Sequence, residues 1–209
     1  MSLWVVKLGG SLANSEELPQ WLDVIATAGA GKVVLVPGGG PWADQVREAQ
    51  KREGFDDRVA HRKALQAMER YGQILAVQRT NFIPAAGIDD IRKVLHSGEV
   101  PVWMPYDMVV ADRSIPENWD VTSDSLAAWL AHLLDASALL LVKALKIVAP
   151  QPNIEELVRR AWVDPAFSNY SADNLFRIVL LGQGGQAVAE RLFAETDALR
   201  VRAAVDSDR

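Results

Sequence analysis

Trp4-Val5-Val6-Lys7-Leu8-Gly9-Gly10-Ser11 is the stretch from which the rest of this chain can be interpreted. Its apolar run has the composition of a buried β-strand. The two glycines that follow let the backbone turn sharply, and their N–H groups can converge on an anion. Lys7 adds a positive charge beside that turn. The stretch therefore predicts either a phosphate-binding loop or an ordinary strand-to-helix turn that carries a solvated lysine.

The composition limits the classes of protein to which the chain can belong. We expect residues 1–209 to form a single domain, because this length suffices for one full core. The net charge of -5 argues against a nucleic-acid partner bound through bulk charge. The absence of cysteine excludes disulfides and thiolate zinc sites, and the three histidines lack ligand spacing. With no secretory signal and no apolar run approaching ~18 residues, we expect a cytoplasmic protein without a membrane partner.

Strands and helices alternate along the whole chain, which favours an α/β fold. A strand, a turn and a helix occur in that order twice at the start, and this predicts a parallel sheet with crossover helices. The predicted strands cover 3–8, 32–36, 82–86, 100–104, 106–110, 138–142, 177–181 and 199–203. The predicted helices cover 15–28, 42–52, 57–77, 89–95, 122–134, 154–160 and 186–195.

A second glycine run, Pro37-Gly38-Gly39-Gly40-Pro41, lies between a predicted parallel strand and a predicted helix. In such sheets, ligands collect at the carboxyl ends of the strands, where helix N-termini point. Three consecutive glycines carry an entropic cost that a simple turn rarely needs. The run predicts either a second phosphoryl or acceptor site or a turn flanked by prolines.

The third element is Trp119-Asp120-Val121-Thr122-Ser123-Asp124-Ser125. Thr122 is a suitable N-cap, so Asp124 falls in the first turn of the following helix. Asp124 either complements the helix dipole or holds lysines or Mg2+ near phosphates. In the second case, Thr122, Ser123 and Ser125 would add hydroxyl ligands.

The three stretches together, in this order along the chain, resemble the amino acid kinase family. The resemblance rests on Lys7–Ser11, Pro37–Gly40 and Thr122–Ala128. It implies a three-layer αβα sandwich with a mainly parallel sheet of about eight strands. It also implies phosphoryl transfer from MgATP to a carboxylate or phosphate oxygen of a small molecule, in a homo-oligomer of two or more subunits.

Two further segments, 57–68 and 163–167, resemble a narrower branch of that family, the aminomethylfuran-methyl phosphate kinases of methanofuran biosynthesis. This branch turns a phosphomonoester into a diphosphate, so we expect a phosphomonoester acceptor. A uridylate-type or amino-acid-type kinase remains open, as does a non-catalytic nucleotide- or ligand-binding protein on the same fold.

The resemblance also implies roles for individual residues. Lys7 would stabilise charge on the transferred phosphoryl group, and Asp124 would orient Lys7 and its neighbours. The backbone N–H groups of Gly9, Gly10 and Gly39 would contact that group. The residues expected to bind ATP or phosphate are Gly9, Gly10, Ser11, Lys143, Lys146, Gly182 and Gly184. Those expected to bind the acceptor are Gly38, Gly39, Gly40, Asp57, His61, Arg62, Thr122 and Ser123. We expect ATP and Mg2+ as cofactors and assign no protein ligand to the metal.

The chain departs from the family after the strand 138–142. Many members have a threonine-aspartate pair and a later aspartate-glycine there, whereas this chain has Lys143-Ala144-Leu145-Lys146-Ile147. Either Lys143 or Lys146 replaces the family's second phosphate-binding lysine, or both are solvated. The loose G-x-G-x-x-A match at 182–187 predicts a tight turn rather than a dinucleotide site, because too few strand-helix units follow it.

Three side chains near these motifs have two interpretations each. His61 is either a satisfied core histidine or a contact to the acceptor. Trp42 and Trp119 follow the glycine run and precede Asp124, respectively, so they are either ordinary packing residues or walls for an aromatic substrate.

Overall fold

The computed structural model describes residues 2–146, 148–149, 152–171 and 176–195. Over these residues the chain forms one seven-stranded sheet in the order β3-β4-β2-β1-β5-β7-β6. Six strands are mutually parallel, and β6 alone runs antiparallel to its neighbour β7. The strands are β1 (Trp4–Leu8), β2 (Val33–Pro37), β3 (Phe82–Ala85), β4 (Val100–Trp103), β5 (Ala138–Val142), β6 (Val148–Ala149) and β7 (Arg177–Leu181).

Helices connect the strands, as parallel pairing requires. A short 3-10 helix, Gly10–Asn14, directly follows β1. The α-helices are α1 (Leu18–Ala28), α2 (Gly40–Glu53), α3 (Asp57–Ala76), α4 (Ile88–His96), α5 (Tyr106–Ala111), α6 (Ser123–Leu133), α7 (Ile154–Arg159), α8 (Phe167–Ser171) and α9 (186–195).

The sheet has a hydrophobic core on each face, because successive strand residues point to opposite sides. On β1, Val5 packs in the core formed with α4, α6 and α8. Its neighbours Trp4 and Val6 pack in the other core, with α1 and α9. This alternation directs Lys7 to the α6 side, and this is the local reason that a strand lysine reaches the first turn of that helix. The three-layer αβα architecture expected from the sequence is confirmed.

The predicted strand over 106–110 is wrong, because these residues form helix α5. Pro105 precedes the helix with a φ of -78 and a ψ of -21, already helical values. Proline is preorganised for a helix start, and the β-branched residues Val109 and Val110 concealed this signal. The turn also ends β4 at Trp103.

The remaining differences concern element ends, the strand number and two short elements that were not predicted, β6 and α8. Helix α1 begins three residues later than the predicted start at Ser15, because the 3-10 helix intervenes. The described sheet has seven strands rather than about eight. The predicted strand over 199–203 lies outside the described residues. None of the described helices is both long and apolar enough to cross a membrane.

Candidate active site

The two glycine loops lie against each other at the carboxyl ends of β1 and β2. A Cβ atom added to Gly10 would lie 2.2 Å from the nitrogen of Gly40, and one added to Gly38 would lie 2.5 Å from the nitrogen of Gly10. Gly40 has a φ of +58, which disfavours other residues. The glycines are therefore required by backbone-to-backbone contact, and this contact brings the two predicted motifs together.

Free N–H groups collect at this contact. Within the described chain, the N–H groups of Gly10, Gly39 and Gly40 have no hydrogen-bond acceptor, and Gly10 and Gly40 each begin a helix. Gly9 differs from its predicted role, because its N–H donates to the Val142 carbonyl at 2.9 Å. The ladder between β1 and β5 extends one residue beyond the strand, so this N–H is not available to a phosphoryl group.

Asp124 lies between two lysines that are far apart in the sequence. The Lys7 Nζ is 2.9 Å from Asp124 Oδ1, and the Lys143 Nζ is 2.8 Å from Oδ1 and 2.7 Å from Oδ2. Lys7 and Asp124 are almost fully buried, with 4% and 5% exposure. The three side chains alone carry one net positive charge when both lysines are protonated, and the nearby Asp164 carboxylate also acts on Lys143. Lys146 is exposed and does not join this cluster.

The pKa values of this cluster follow from burial and from the paired charges. Burial alone would raise the pKa of Asp124, but the charges and hydrogen bonds of Lys7 and Lys143 together hold it below its usual value. Burial, followed by repulsion from Lys7, lowers the pKa of Lys143 to about 8. The ammonium group of Lys143 is therefore partly deprotonated in the physiological pH range.

Asp164 is a site residue for which the sequence analysis proposed no role. Its carboxylate accepts hydrogen bonds from the N–H groups of Thr122 and Ser125 at 3.0 and 3.1 Å. It also accepts from the Thr122 hydroxyl at 2.7 Å and from the Ser125 hydroxyl. Thr122 occupies the predicted N-cap position of α6, but its side chain makes no capping bond. Asp164 supplies that cap from a distant segment, which fixes the helix turn that carries Asp124. The only sequence signal was the resemblance of 163–167 to the family branch.

A cavity of about 240 Å³ opens next to the glycine loops. Its floor is formed by the loops themselves and by the start of α6, and its walls by α2, α3 and the segment before α6. The predicted residues that line it are Gly10, Ser11, Gly39, Gly40, His61, Thr122 and Ser123. The sequence analysis missed Asp44 and Arg47, which line the cavity from α2 together with Ala43.

The three α3 residues predicted to bind the acceptor, Asp57, His61 and Arg62, point in different directions. The Asp56 carboxylate caps it by accepting from the Val59 N–H at 2.8 Å, and His61 then faces the cavity. Arg62 points elsewhere, because its Nε pairs with the Glu117 carboxylate at 2.6 Å. Asp57 accepts from the Gln50 side chain at 2.8 Å and does not line the cavity. Of these three residues, the structure brings only His61 to the cavity.

Of the two tryptophans considered as aromatic walls, only Trp119 lines the cavity. It donates to the Gln50 side chain at 2.7 Å and carries Arg47 over its ring, 4.1 Å from the centroid. Trp42 packs instead against Tyr71 at 5.8 Å and lines a groove on the outer side of α2 and α3. Trp42 follows Gly40, which lines the cavity, by two helix positions, so the two residues point to different faces of α2.

The glycines after β7 form a tight turn at the same edge of the sheet. The Gly185 N–H donates to the Gly182 carbonyl at 3.0 Å, and Gly184 has a φ of +75. The Gly184 N–H donates to the Glu17 carboxylate at 3.2 Å. The Glu17 carboxylate thus occupies the Gly184 N–H, a donor that was predicted to bind ATP. The predicted tight turn is confirmed.

The arrangement is chemically suited to a transferring phosphoryl group. The glycine loops supply free N–H groups, and the Lys7 and Lys143 ammonium groups belong to the ends of the adjoining strands β1 and β5, although neither lysine lines the cavity. Such preorganised donors stabilise developing negative charge. No cluster of His, Asp or Glu able to hold a metal ion occurs in 2–146, 148–149, 152–171 and 176–195. The free N–H groups and the ammonium groups are donors of the kind that phosphate oxygens accept from.

The comparison with known proteins accords with this geometry. The sequence profile of the amino acid kinase family matches residues 2–168. The chain belongs to this family. Membership of the amino acid kinase family supports a phosphotransferase activity.

One curated relative and two solved structures illustrate the similarity. The (5-(aminomethyl)furan-3-yl)methyl phosphate kinase of Methanocaldococcus jannaschii is 28% identical over 133 residues, which cover 63% of this chain and 61% of that relative. The alignment thus spans less than two thirds of the relative's length. Uridylate kinase from Archaeoglobus fulgidus superposes with a TM-score of 0.66 at 15% identity, covering 90% of this chain and 94% of the other. UMP kinase from Bacillus anthracis superposes with a TM-score of 0.66 at 16% identity, covering 93% and 92%. These two identities support the fold alone.

Proposed function

We propose that this amino acid kinase family member transfers the γ-phosphoryl group of MgATP to a phosphomonoester, (5-(aminomethyl)furan-3-yl)methyl phosphate, and forms a diphosphate. The observation that carries the proposal is the Lys7–Asp124–Lys143 cluster beside two glycine loops with free N–H groups. A loose phosphoryl transition state needs positioning and charge stabilisation rather than a covalent catalyst.

Each part of the site would contribute one of these effects. ATP supplies the transferred group, and its Mg2+ offsets part of the phosphate charge. Lys7 and Lys143 stabilise negative charge as it redistributes, while Asp124 keeps both ammonium groups in place and offsets the repulsion between them. The N–H groups of Gly10, Gly39 and Gly40 orient the phosphoryl oxygens.

The proposed acceptor needs no general base. A phosphomonoester is already ionised at neutral pH, so its oxygen needs no proton removal before it attacks. The named activity of the Methanocaldococcus jannaschii relative agrees with such an acceptor.

The test is turnover with a defined acceptor. Purified protein is incubated with MgATP and (5-(aminomethyl)furan-3-yl)methyl phosphate, ADP release is followed, and the product is identified by phosphorus NMR. We expect ADP and a diphosphate ester in equal amounts. Uridine monophosphate and glutamate serve as competing acceptors. Equal or faster turnover on either would reject the proposed acceptor, and ATP binding without turnover on any acceptor would favour a non-catalytic binding protein.

Three expectations accompany this proposal. The whole chain, 1–209, forms one domain, the protein is cytoplasmic because its donor is ATP, and it assembles as a homo-oligomer. Light scattering at several protein concentrations measures the last of these, and a monomeric mass at all concentrations would contradict it.

A further inference from the structure

One wall segment of the cavity, residues 116–120, belongs to neither a helix nor a glycine loop. It leads towards α6 and contributes one side chain to the cavity lining. The residues on either side of it are apolar anchors, because Ile115 and Val121 are only 4% and 2% exposed and lie in the core shared with α6. Among the described residues, its backbone bonds to the backbone of another segment only where the Ala166 N–H donates to the Asp120 carbonyl. The wall segment is therefore held mainly by contacts that involve side chains.

The Glu117 carboxylate ties the middle of the wall segment to α3. It accepts from Arg62 Nε at 2.6 Å and from Arg62 Nη2 at 3.3 Å, and Arg58 Nε lies 3.3 Å from the same carboxylate. The side chains of Arg62 and Glu117 are 34% and 29% exposed. Two hydrogen bonds from one guanidinium fix the geometry, whereas water competes with an ion pair at this exposure and keeps its net strength small. The pair can therefore hold the wall segment in one position and still open.

Two further polar contacts hold the wall segment against α2 and α3. His61 Nδ1 lies 3.1 Å from the Asn118 carbonyl oxygen, which can only accept, so the ring donates to it. The Trp119 Nε1 donates to Gln50 Oε1 at 2.7 Å. Opening the segment exchanges these contacts for hydrogen bonds to water, whereas moving its two anchors would expose buried apolar surface. Opening between the anchors therefore requires less free energy than opening that includes them.

We propose that the wall segment is a flap, which opens to admit the acceptor and closes over it, and that the Arg62–Glu117 pair is its latch. That the acceptor occupies this cavity rests on the proposed function. A closed flap keeps water away from the transferring phosphoryl group, as a kinase requires. Neither Arg62 nor Glu117 lines the cavity. Arg62 is therefore a positioning residue that acts through Glu117, not a residue that contacts the acceptor.

A latch of this kind acts on rates rather than on affinity. Because its two residues lie outside the cavity lining, it stabilises the closed flap equally with and without a ligand. Entry and exit of the ligand both pass through the open state, so loss of the latch raises both rate constants and leaves their ratio unchanged. Loss of a residue that contacts the ligand would instead change the dissociation constant.

The first test uses the protein without ligand, so it does not depend on the proposed function. Millisecond hydrogen exchange, read by mass spectrometry, measures local opening of the peptide that contains residues 116–120. We expect Arg62→Gln and Glu117→Gln each to speed exchange of this peptide about fivefold, equivalent to about 1 kcal/mol, and to leave peptides from β1 and β2 unchanged. The matched control is Arg79→Gln, which removes a partly exposed ion pair with Asp23 outside the cavity and should leave exchange of the flap at the wild-type rate.

The second test measures the kinetics of ligand binding. Stopped-flow tryptophan fluorescence follows the binding of (5-(aminomethyl)furan-3-yl)methyl phosphate, with Trp119 in the cavity wall as a reporter. We expect Arg62→Gln to raise the association and dissociation rate constants each about fivefold and to change Kd less than about twofold. The control Arg79→Gln should change neither rate constant.

Unchanged exchange of the flap in both latch variants would overturn the inference. Equally faster exchange in the core strands would also overturn it, because that result reports global destabilisation. A higher Kd at an unchanged association rate would place Arg62 in contact with the ligand and reject its role as a latch. Faster exchange of the flap without binding of the probe would retain the flap and reject the proposed acceptor. Turnover of the probe by a protein whose flap the variants do not loosen would do the reverse.

Discussion

The two sides of β1 are built differently. On the β2 side, the glycine loops touch backbone to backbone, leave N–H groups free and border a formed cavity. On the β5 side, which comprises the ends of β5 and β7, the chain satisfies its own groups: Asp124 pairs Lys143, and Glu17 accepts from Gly184. In the proposed function, the β2 side is preformed for the acceptor, whereas the β5 side would exchange internal contacts for contacts with the nucleotide. The departure of the sequence from its family falls on the β5 side.

The residue that joins the two sides should produce the largest effect. Asp124→Asn leaves the Lys7 and Lys143 ammonium groups facing each other without an anion. Removing one partner of a buried ion pair costs about 3–5 kcal/mol. We therefore expect a loss of that size in the free energy of unfolding, together with a loss of turnover. Urea denaturation measures the first and ADP release the second. The double variant Asp124→Asn, Lys143→Met should recover part of the stability, and no recovery would contradict charge repulsion as the cause.

The variant Lys7→Ala tests whether Lys7 contacts the transferred phosphoryl group. Removing one preorganised electrostatic donor costs about 10²–10³ in kcat, so we expect Lys7→Ala to lose at least that factor. The fold should persist, because Lys143 still pairs Asp124. Steady-state kinetics and a thermal melt measure the two effects, with Lys51→Ala on the exposed face of α2 as a control. A full rate in Lys7→Ala would show that Lys7 does not contact the phosphoryl group.

Variants of Lys143 and Lys146 test which of the two lysines contributes to turnover from the β5 side. We expect Lys143→Met to lower kcat/KM about 10- to 100-fold, whereas Lys146→Met, which changes an exposed side chain, should alter it less than about twofold. The lowered pKa of about 8 means that Lys143 loses its proton, and its charge, as the pH rises through that value. The pH profile of kcat/KM, which reports the free enzyme, should therefore fall above pH 8.

The arginine variant provides the control for this pH dependence. Lys143→Arg keeps its charge at high pH, so its decline should move upward in pH or disappear. A larger loss in Lys146→Met than in Lys143→Met, or a high-pH limb that Lys143→Arg leaves unchanged, would reassign the second lysine.

Asp164 is expected to give the smallest of the four effects. Asp164→Asn replaces one of the two accepting carboxylate oxygens with an NH2 group, which cannot accept from Thr122 or Ser125. Leaving such donors unsatisfied costs about 1–3 kcal/mol, and denaturant unfolding measures the loss. Asp135→Asn, at the exposed far end of α6, should change stability by less than about 0.5 kcal/mol. Equal stability of the Asp164 variant and the wild type would show that α6 does not need this cap.

The sequence predicted most of the elements, because their hydrophobic patterns are strong. It failed at α5, where β-branched residues outweighed the helix start at Pro105. It placed Gly38, Gly39 and Asp124 at one edge correctly, since parallel strands share their carboxyl ends. Asp57, Arg62 and Trp42 fell on the wrong helix faces, because adjacent residues on a helix point in directions about 100° apart. Asp164 acts across 39 to 42 positions in the chain, a separation that no local pattern reveals.

The sequence by itself determined the alternating fold, the two glycine loops and the acidic helix start, since each is set by backbone conformation or by short-range periodicity. Only the tertiary structure decided that Lys143 rather than Lys146 pairs Asp124, that the Gly9 N–H is taken by β5, and that His61, Asp44 and Arg47 share one cavity. The physical reason is that these relations depend on which faces of distant elements meet. That is fixed by the packing of helices onto the sheet rather than by any residue's own preference.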